Sequence, residues 1–250
     1  MDQRQKTSTK HSMNDSIHSI NDSSPSGKYI VNNDSFLIVI RYEDTNFEIN
    51  ENELKDSFDF MFQLPPVPNP LRPSTFLKRP QVTFAPIDYN FGQKTKTLPM
   101  DENTPIIVHK CKTICENVLK QYGYNASYNG AHLSLYPNGE AGLLPHEDNE
   151  PVIDQNVPIA SISFGETRKL AFYRHQTKEE REIQISKSRA KKTPDPKPVE
   201  ISSLKVRHGD IIIMVNMQNI GILHGVVKEP KLNNSRLNLT FRNFLVDGPI

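Results

Sequence analysis

From about residue 130 the chain breaks into short segments that only strands can use. Residues 131–136 and 159–164 alternate, residues 169–173 form a further short run, and residues 210–215 are almost continuously apolar. Alternation puts successive side chains on opposite faces of a strand, so each run offers one face to a core. Residues 181–186 and 201–206 read as two more strands flanking a basic, proline-containing loop, KSRAKKTPDPKP, and residues 236–244 close the set. An earlier run, residues 36–42, is a buried strand by its β-branched content. Two helical patterns lie between. In residues 51–62, Leu54, Phe58, Met61 and Phe62 recur at helical spacing behind Asn50 as N-cap, and LPPVPNPLRP ends the helix. In residues 104–122, Ile107, Cys111, Ile114, Cys115, Val118 and Leu119 share one side. The expected fold is α+β but mainly β: an antiparallel double sheet of jelly-roll type, with the N-terminal helices packed outside it.

Hydrophobic residues are only 36% of the chain, so part of it adds nothing to a core. Residues 1–27, rich in Ser, Asn, Asp and Lys, are expected to form a disordered polar tail. Residues 28–88 are expected to be an extension packing on the core, and residues 89–250 the functional domain. The formal net charge is +1, so contact with nucleic acid requires local basic patches rather than global charge. No apolar run approaches the roughly 20 residues that span a bilayer. The N-terminus lacks the apolar centre of a signal peptide. Cys111 and Cys115, four apart on a helix, read as free thiols of an intracellular protein. No membrane partner is expected, and a monomer is the default.

The segment LLPHEDNEP places His146 two residues before Asp148, with Glu147 and Glu150 beside them. A solvated acidic loop is the ordinary reading. On extended backbone, however, residues two apart face the same way, so one stretch offers an imidazole nitrogen and a carboxylate oxygen to a single ion. His224, in GILHGVV, follows the apolar run 210–215 and its turn, and is the candidate third ligand. Two histidines and one carboxylate on one face of an ion make the facial triad of non-haem Fe(II) oxygenases.

The C-terminal SRLNLTFRNF divides cleanly by alternation. Arg236, Asn238, Thr240 and Arg242 share one face, while Leu237, Leu239 and Phe241 share the other. A half-buried strand with a polar outer face would read the same way. Yet a guanidinium fork is the natural clamp for a carboxylate, so a dicarboxylic cosubstrate fits a site that has iron at one end and arginine at the other.

His146-x-Asp148, then His224, then Arg236-x-Asn238-x-Thr240-Phe241-Arg242 resembles the AlkB family of Fe(II)/2-oxoglutarate dioxygenases. HEDNE is similar to the H-x-D-x-[DE] form of the nucleic-acid demethylases. PIASISFG, residues 158–165, is similar to a segment of the animal AlkB homologues that repair DNA. The likeness runs from about Tyr89 to Phe244. It implies a double-stranded β-helix core, with Fe(II) as metal and 2-oxoglutarate and O2 as cosubstrates. It implies iron ligation by His146, Asp148 and His224. It implies that Arg236 pairs with the distal carboxylate of 2-oxoglutarate and that Arg242 holds the chelating end. Tyr136, Asn238 and Thr240 would line the same pocket. Ser134 stands where the family usually has Asn, so one cosubstrate contact differs here.

The activity so implied is oxidative removal of N-linked methyl groups, of the 1-methyladenine and 3-methylcytosine type, from alkylated DNA or RNA. Succinate, CO2 and formaldehyde are released. Glu150 matches the acidic residue that meets the exocyclic amine of a cationic methylated base, with Asn149 orienting the loop. Tyr89 and Phe91 stand where the family carries aromatic residues of its substrate lid, and either stack on the flipped base or pack the lid on the core. The basic loop 187–197, together with Arg79, Lys94 and Lys96, is a candidate phosphate-contacting surface. A nuclear location would suit DNA repair, and a cytoplasmic one RNA. Two other readings stay open: a 2-oxoglutarate-dependent protein hydroxylase or demethylase, and an inactive nucleic-acid-binding module of the same fold.

Overall fold

The computed structural model describes residues 15–69, 72–89, 97–188 and 193–246. The first strands are β1 (Asp15–Ser16), β2 (Gly27–Ile30), β3 (Phe36–Ile40), β4 (Pro68–Asn69), β5 (Arg72–Phe76), β6 (Gln81–Phe84) and β7 (Thr97–Leu98). Then come β8 (Gly130–Tyr136), β9 (Leu143–His146), β10 (Ile159–Gly165) and β11 (Arg168–Arg174). The last are β12 (Val199–Val206), β13 (Ile211–Val215), β14 (Ile222–Val226) and β15 (Arg236–Arg242). Three α-helices, α1 (Glu51–Phe62), α2 (Ile106–Gln121) and α3 (Lys178–Ser186), interrupt them.

A nine-stranded sheet runs β1-β2-β3-β13-β10-β15-β8-β6-β7, and a four-stranded sheet runs β12-β11-β14-β9. The expected jelly-roll double sheet is present. Its two faces follow from alternation. Leu133 and Leu135 of β8, Ile162 and Phe164 of β10, and Leu237, Leu239 and Phe241 of β15 enter one core with residues of α1 and α2. The opposite face of the large sheet turns its polar residues towards the small sheet, and there the site lies. A second core, with Ile159, Ile212 and Met214 from the large sheet and Phe172, Leu204 and Val206 from the small one, closes one end of the space between them.

α1 spans the expected residues, and the Asn50 side chain accepts from the backbone N–H groups of Asn52 and Glu53 as its cap. Three expectations change. Residues 1–14 lie outside the described residues, but the expected tail is ordered from Asp15 onward. Ile17 and Ile20 are buried in one cluster with Leu204 and Val206, so two isoleucines in a polar stretch suffice to seat it. Residues 28–88 are no mere extension: β3 pairs with β13, and β6 pairs with β8, inside the large sheet. Residues 181–186 are not a strand but most of α3. Thr177 and Glu180 form a reciprocal capping box, and Arg174 ion-pairs with Glu180 at 2.7 Å. The Ile183/Ile185 alternation imitates a strand, but both side chains are exposed and no strand pairs with them.

Candidate active site

β9 and β14 pair antiparallel, with His146 directly opposite His224. Their rings lie 4.4 Å apart, centroid to centroid. Gly225 allows this approach, because a Cβ there would sit 2.6 Å from the Leu143 carbonyl oxygen. Asp148, two residues past β9, enters from the side. Its Oδ1 is 3.5 Å from His146 Nε2, and its Oδ2 is 3.7 Å from His224 Nε2. One ligand atom from each of the three residues falls within 4.8 Å of the others. His146 Nδ1 lies 3.0 Å from the Leu144 carbonyl. A carbonyl only accepts, so Nδ1 carries the proton and the lone pair on Nε2 faces Asp148.

The charge states suit a metal. Burial pushes the His224 imidazole down to about 3, helped by His146, so it stays neutral near pH 7. Burial acts against the Asp148 charge, but Arg242 and the two histidines outweigh it and hold the carboxyl well below its usual range. Arg242 Nη2 donates to Asp148 Oδ1 at 2.8 Å, whereas Asp148 Oδ2 is buried with no hydrogen-bond partner among the described residues. Two imidazole nitrogens and one carboxylate oxygen without a hydrogen-bond partner are the donor set that Fe(II) takes in a facial triad.

Arg236 stands six residues along β15 on the same face. Its Nη2 donates to Ser163 Oγ at 2.7 Å and to Asn238 Oδ1 at 3.0 Å. Nε and Nη1 are buried without partners among the described residues, and no carboxylate pairs with this guanidinium. Burial lowers it to about 10. A buried cation with two idle donors suits an incoming carboxylate. Tyr136, Asn238 and Thr240 line the same pocket. Asn238 also holds its neighbours: it accepts from Arg236 and donates to Thr240 Oγ1 at 2.8 Å. Ser134 is buried, opposite Asn238 on β15 and Gln81 on β6.

The substrate-side residues depart further from expectation. Tyr89 is 2% exposed and its ring packs edge-on against Phe244 at 4.9 Å, so it anchors the segment to the core and offers no open face to a base. Its hydroxyl donates to Glu150 Oε1 at 3.2 Å, and Glu150 Oε2 is buried without a partner among the described residues. Asn149 is exposed and donates to Glu147, away from the pocket. Phe91, Lys94, Lys96, Arg189, Lys191 and Lys192 lie outside the described residues, while Lys187 and Lys197 are exposed. Arg79 is 6% exposed and points inward at Tyr136, so it is no part of a surface patch.

Sequence reasoning passed over Ser163, His132 and Thr83. Ser163 bonds both Arg236 and Asn238, and Thr83 Oγ1 meets His132 Nδ1 at 2.8 Å. Burial and then the Arg242 charge hold His132 well below the usual imidazole range. The signal was present: in QVTF and AHLSLY the polar half of the alternation faces the site.

A family model described as the 2OG-Fe(II) oxygenase superfamily matches residues 62–242. The chain belongs to that superfamily. Among curated proteins it is similar to the DNA oxidative demethylase ALKBH2 of Mus musculus, at 26% identity over 67% of this chain and 62% of that one. ALKBH2 of Bos taurus matches at 29% identity over 48% of this chain and 38% of the relative. The alpha-ketoglutarate-dependent dioxygenase alkB homolog 3 of Bos taurus is 26% identical over 71% of this chain and 56% of the relative. The chain is thus similar to AlkB homologues, and it spans less than two thirds of the length of each of these relatives. A solved structure, OsALKBH1, matches with a TM-score of 0.48 at 16% identity, over 83% of this chain and 97% of that one. The superfamily's Fe(II) and 2-oxoglutarate fit the unpaired donors of Asp148 and Arg236.

Proposed function

We propose that this chain is an oxidative demethylase of nucleic acid. It would remove N-linked methyl groups, of the 1-methyladenine and 3-methylcytosine type, from DNA or RNA. The observation that carries the reading to a methylated base is Glu150. Its carboxylate, two residues past Asp148, acts on the Arg242 charge, accepts from Tyr89 at one oxygen and has no hydrogen-bond partner among the described residues at the other. Methylation at those ring nitrogens leaves the base cationic, and an anion with a free, buried oxygen complements it. The named activity of the ALKBH2 relatives supports the same substrate class.

Bound iron supplies the oxidising chemistry of the superfamily, consuming O2 and 2-oxoglutarate and yielding succinate, CO2 and formaldehyde. The protein's part is placement. His146, Asp148 and His224 would hold the metal, with Leu144 fixing one imidazole and Arg242 keeping Asp148 ionised. Arg236 would take the distal carboxylate, kept in place by Ser163 and Asn238.

The test is anaerobic loading with Fe(II) and 2-oxoglutarate, then air, with oligonucleotides carrying 1-methyladenine or 3-methylcytosine. Single-stranded DNA, duplex DNA and RNA run in parallel, with mass spectrometry of the base and a succinate assay. Demethylation lost in His146→Ala is the expected result. Succinate without a repaired base would redirect the site to protein substrates. Neither product, with iron bound, would leave a binding module.

A further inference from the structure

β6 and the two residues before it form a polar ladder with β8 on the pocket side. Gln81 pairs with Ser134 and Thr83 with His132, and the Pro80 carbonyl accepts from Leu135 N at 2.9 Å. That bond continues the ladder one step and sets Arg79 against Tyr136. Arg79 Nη1 donates to the Tyr136 hydroxyl oxygen at 3.3 Å, and Nη2 donates to Gln81 Oε1 at 3.0 Å. Arg79 Nε is buried without a partner among the described residues, and no carboxylate pairs with this guanidinium. The Arg79, Arg168 and Arg236 guanidinium carbons lie 5.5, 5.5 and 5.1 Å from the same tyrosine ring.

A guanidinium only donates, so the Tyr136 oxygen receives from Arg79 and its own O–H must point elsewhere. Of the three buried guanidiniums around this phenol, only Arg168 has a carboxylate partner, Glu229 at 3.4 Å; Arg79 and Arg236 have none among the described residues, so an incoming anion would offset their charge. Resting on the reading that Arg236 holds the distal carboxylate of 2-oxoglutarate, we propose that Arg79 is a positioning residue for that carboxylate. Held by Gln81, it directs the Tyr136 hydroxyl towards the anion and adds a second positive charge behind it. Ser134 offers a shorter reach than the Asn usual in the family, and this pair on the neighbouring strand supplies the missing donor strength.

The full-length protein loaded with Mn(II) is titrated by calorimetry with 2-oxoglutarate and with 2-oxopentanoate. The second acid keeps the chelating head and the chain length but lacks the distal carboxylate. Wild type binds the diacid more tightly. Arg79→Met weakens 2-oxoglutarate about tenfold, the size of one charged hydrogen bond, and leaves 2-oxopentanoate within about twofold. Arg79→Lys recovers part of the preference, since it keeps the charge without the fork. Tyr136→Phe costs a similar factor, and adding Arg79→Met to it costs little more, because the two act as one unit. Full diacid preference in Arg79→Met overturns the inference. Equal weakening for both acids also overturns it, by showing a general effect on the fold. No preference in wild type removes the Arg236 reading itself, and the inference with it.

Discussion

Arg236 and Arg242 share a strand, a face and nearly complete burial, yet their surroundings are opposite. Arg242 is bonded to Asp148 at 2.8 Å, and its charge is held more firmly than usual: burial opposes it but the carboxylate prevails. Arg236 meets neutral groups among the described residues, Ser163, Asn238 and Tyr136, and burial brings it down to about 10. Both guanidiniums keep Nε and Nη1 without hydrogen-bond partners among the described residues, so the difference lies in charge: a carboxylate of the chain balances Arg242, and none balances Arg236.

The sharpest way to break that comparison is to remove each charge in turn. Arg242→Met strands the Asp148 carboxylate, and loss of one partner of a buried pair costs about 3–5 kcal/mol. Urea unfolding of the metal-free protein should show that loss, and Mn(II) binding should weaken with it. Arg236→Met removes a cation without an acid, so the metal-free protein should be as stable or slightly more so, while 2-oxoglutarate binding falls about a hundredfold. Equal destabilisation by the two substitutions would mean that Arg236 is structural after all.

His132, beside the Arg242 charge, gives the next effect. Its folded value lies below the ordinary 6.5, so below that pH the unfolded chain takes up a proton that the folded chain refuses. Stability is therefore complete above about pH 6.5 and declines by up to about 1.4 kcal/mol per pH unit as the pH falls towards the folded value. His132→Leu should flatten that part of a stability–pH curve; an unchanged slope would assign it to other groups. Smallest is Ser163→Ala, which frees one end of the Arg236 guanidinium. One hydrogen bond from a charged donor, about 1.5 kcal/mol at the low end, corresponds to a roughly tenfold weaker 2-oxoglutarate affinity, with Mn(II) affinity unmoved.

Much of this site was legible in the residues. Alternation pairs His146 with Asp148 and gives the Arg-x-Asn-x-Thr-x-Arg face, while His224 stands out by its place after the apolar run 210–215. Arg79 was not legible as a site residue, because a lone arginine in a proline-rich stretch reads as surface until a strand pairing turns it inward. The sequence position of Tyr89 leaves two readings open, and its ring contact with Phe244, 155 residues later, favours packing on the core over stacking on a base. α3 shows local chemistry winning over pattern, since the Thr177–Glu180 capping box outweighs two alternating isoleucines.

The sequence by itself determined which faces exist: the strands, the apolar side that meets the helices, and the polar side that carries two histidines, an aspartate and two arginines. Only the tertiary structure decided which polar residues meet. Pairing β9 with β14 sets His146 against His224, and pairing β6 with β8 brings Arg79 to Tyr136. Those contacts depend on register between segments distant in sequence, and alternation along one strand carries no information about the strand beside it.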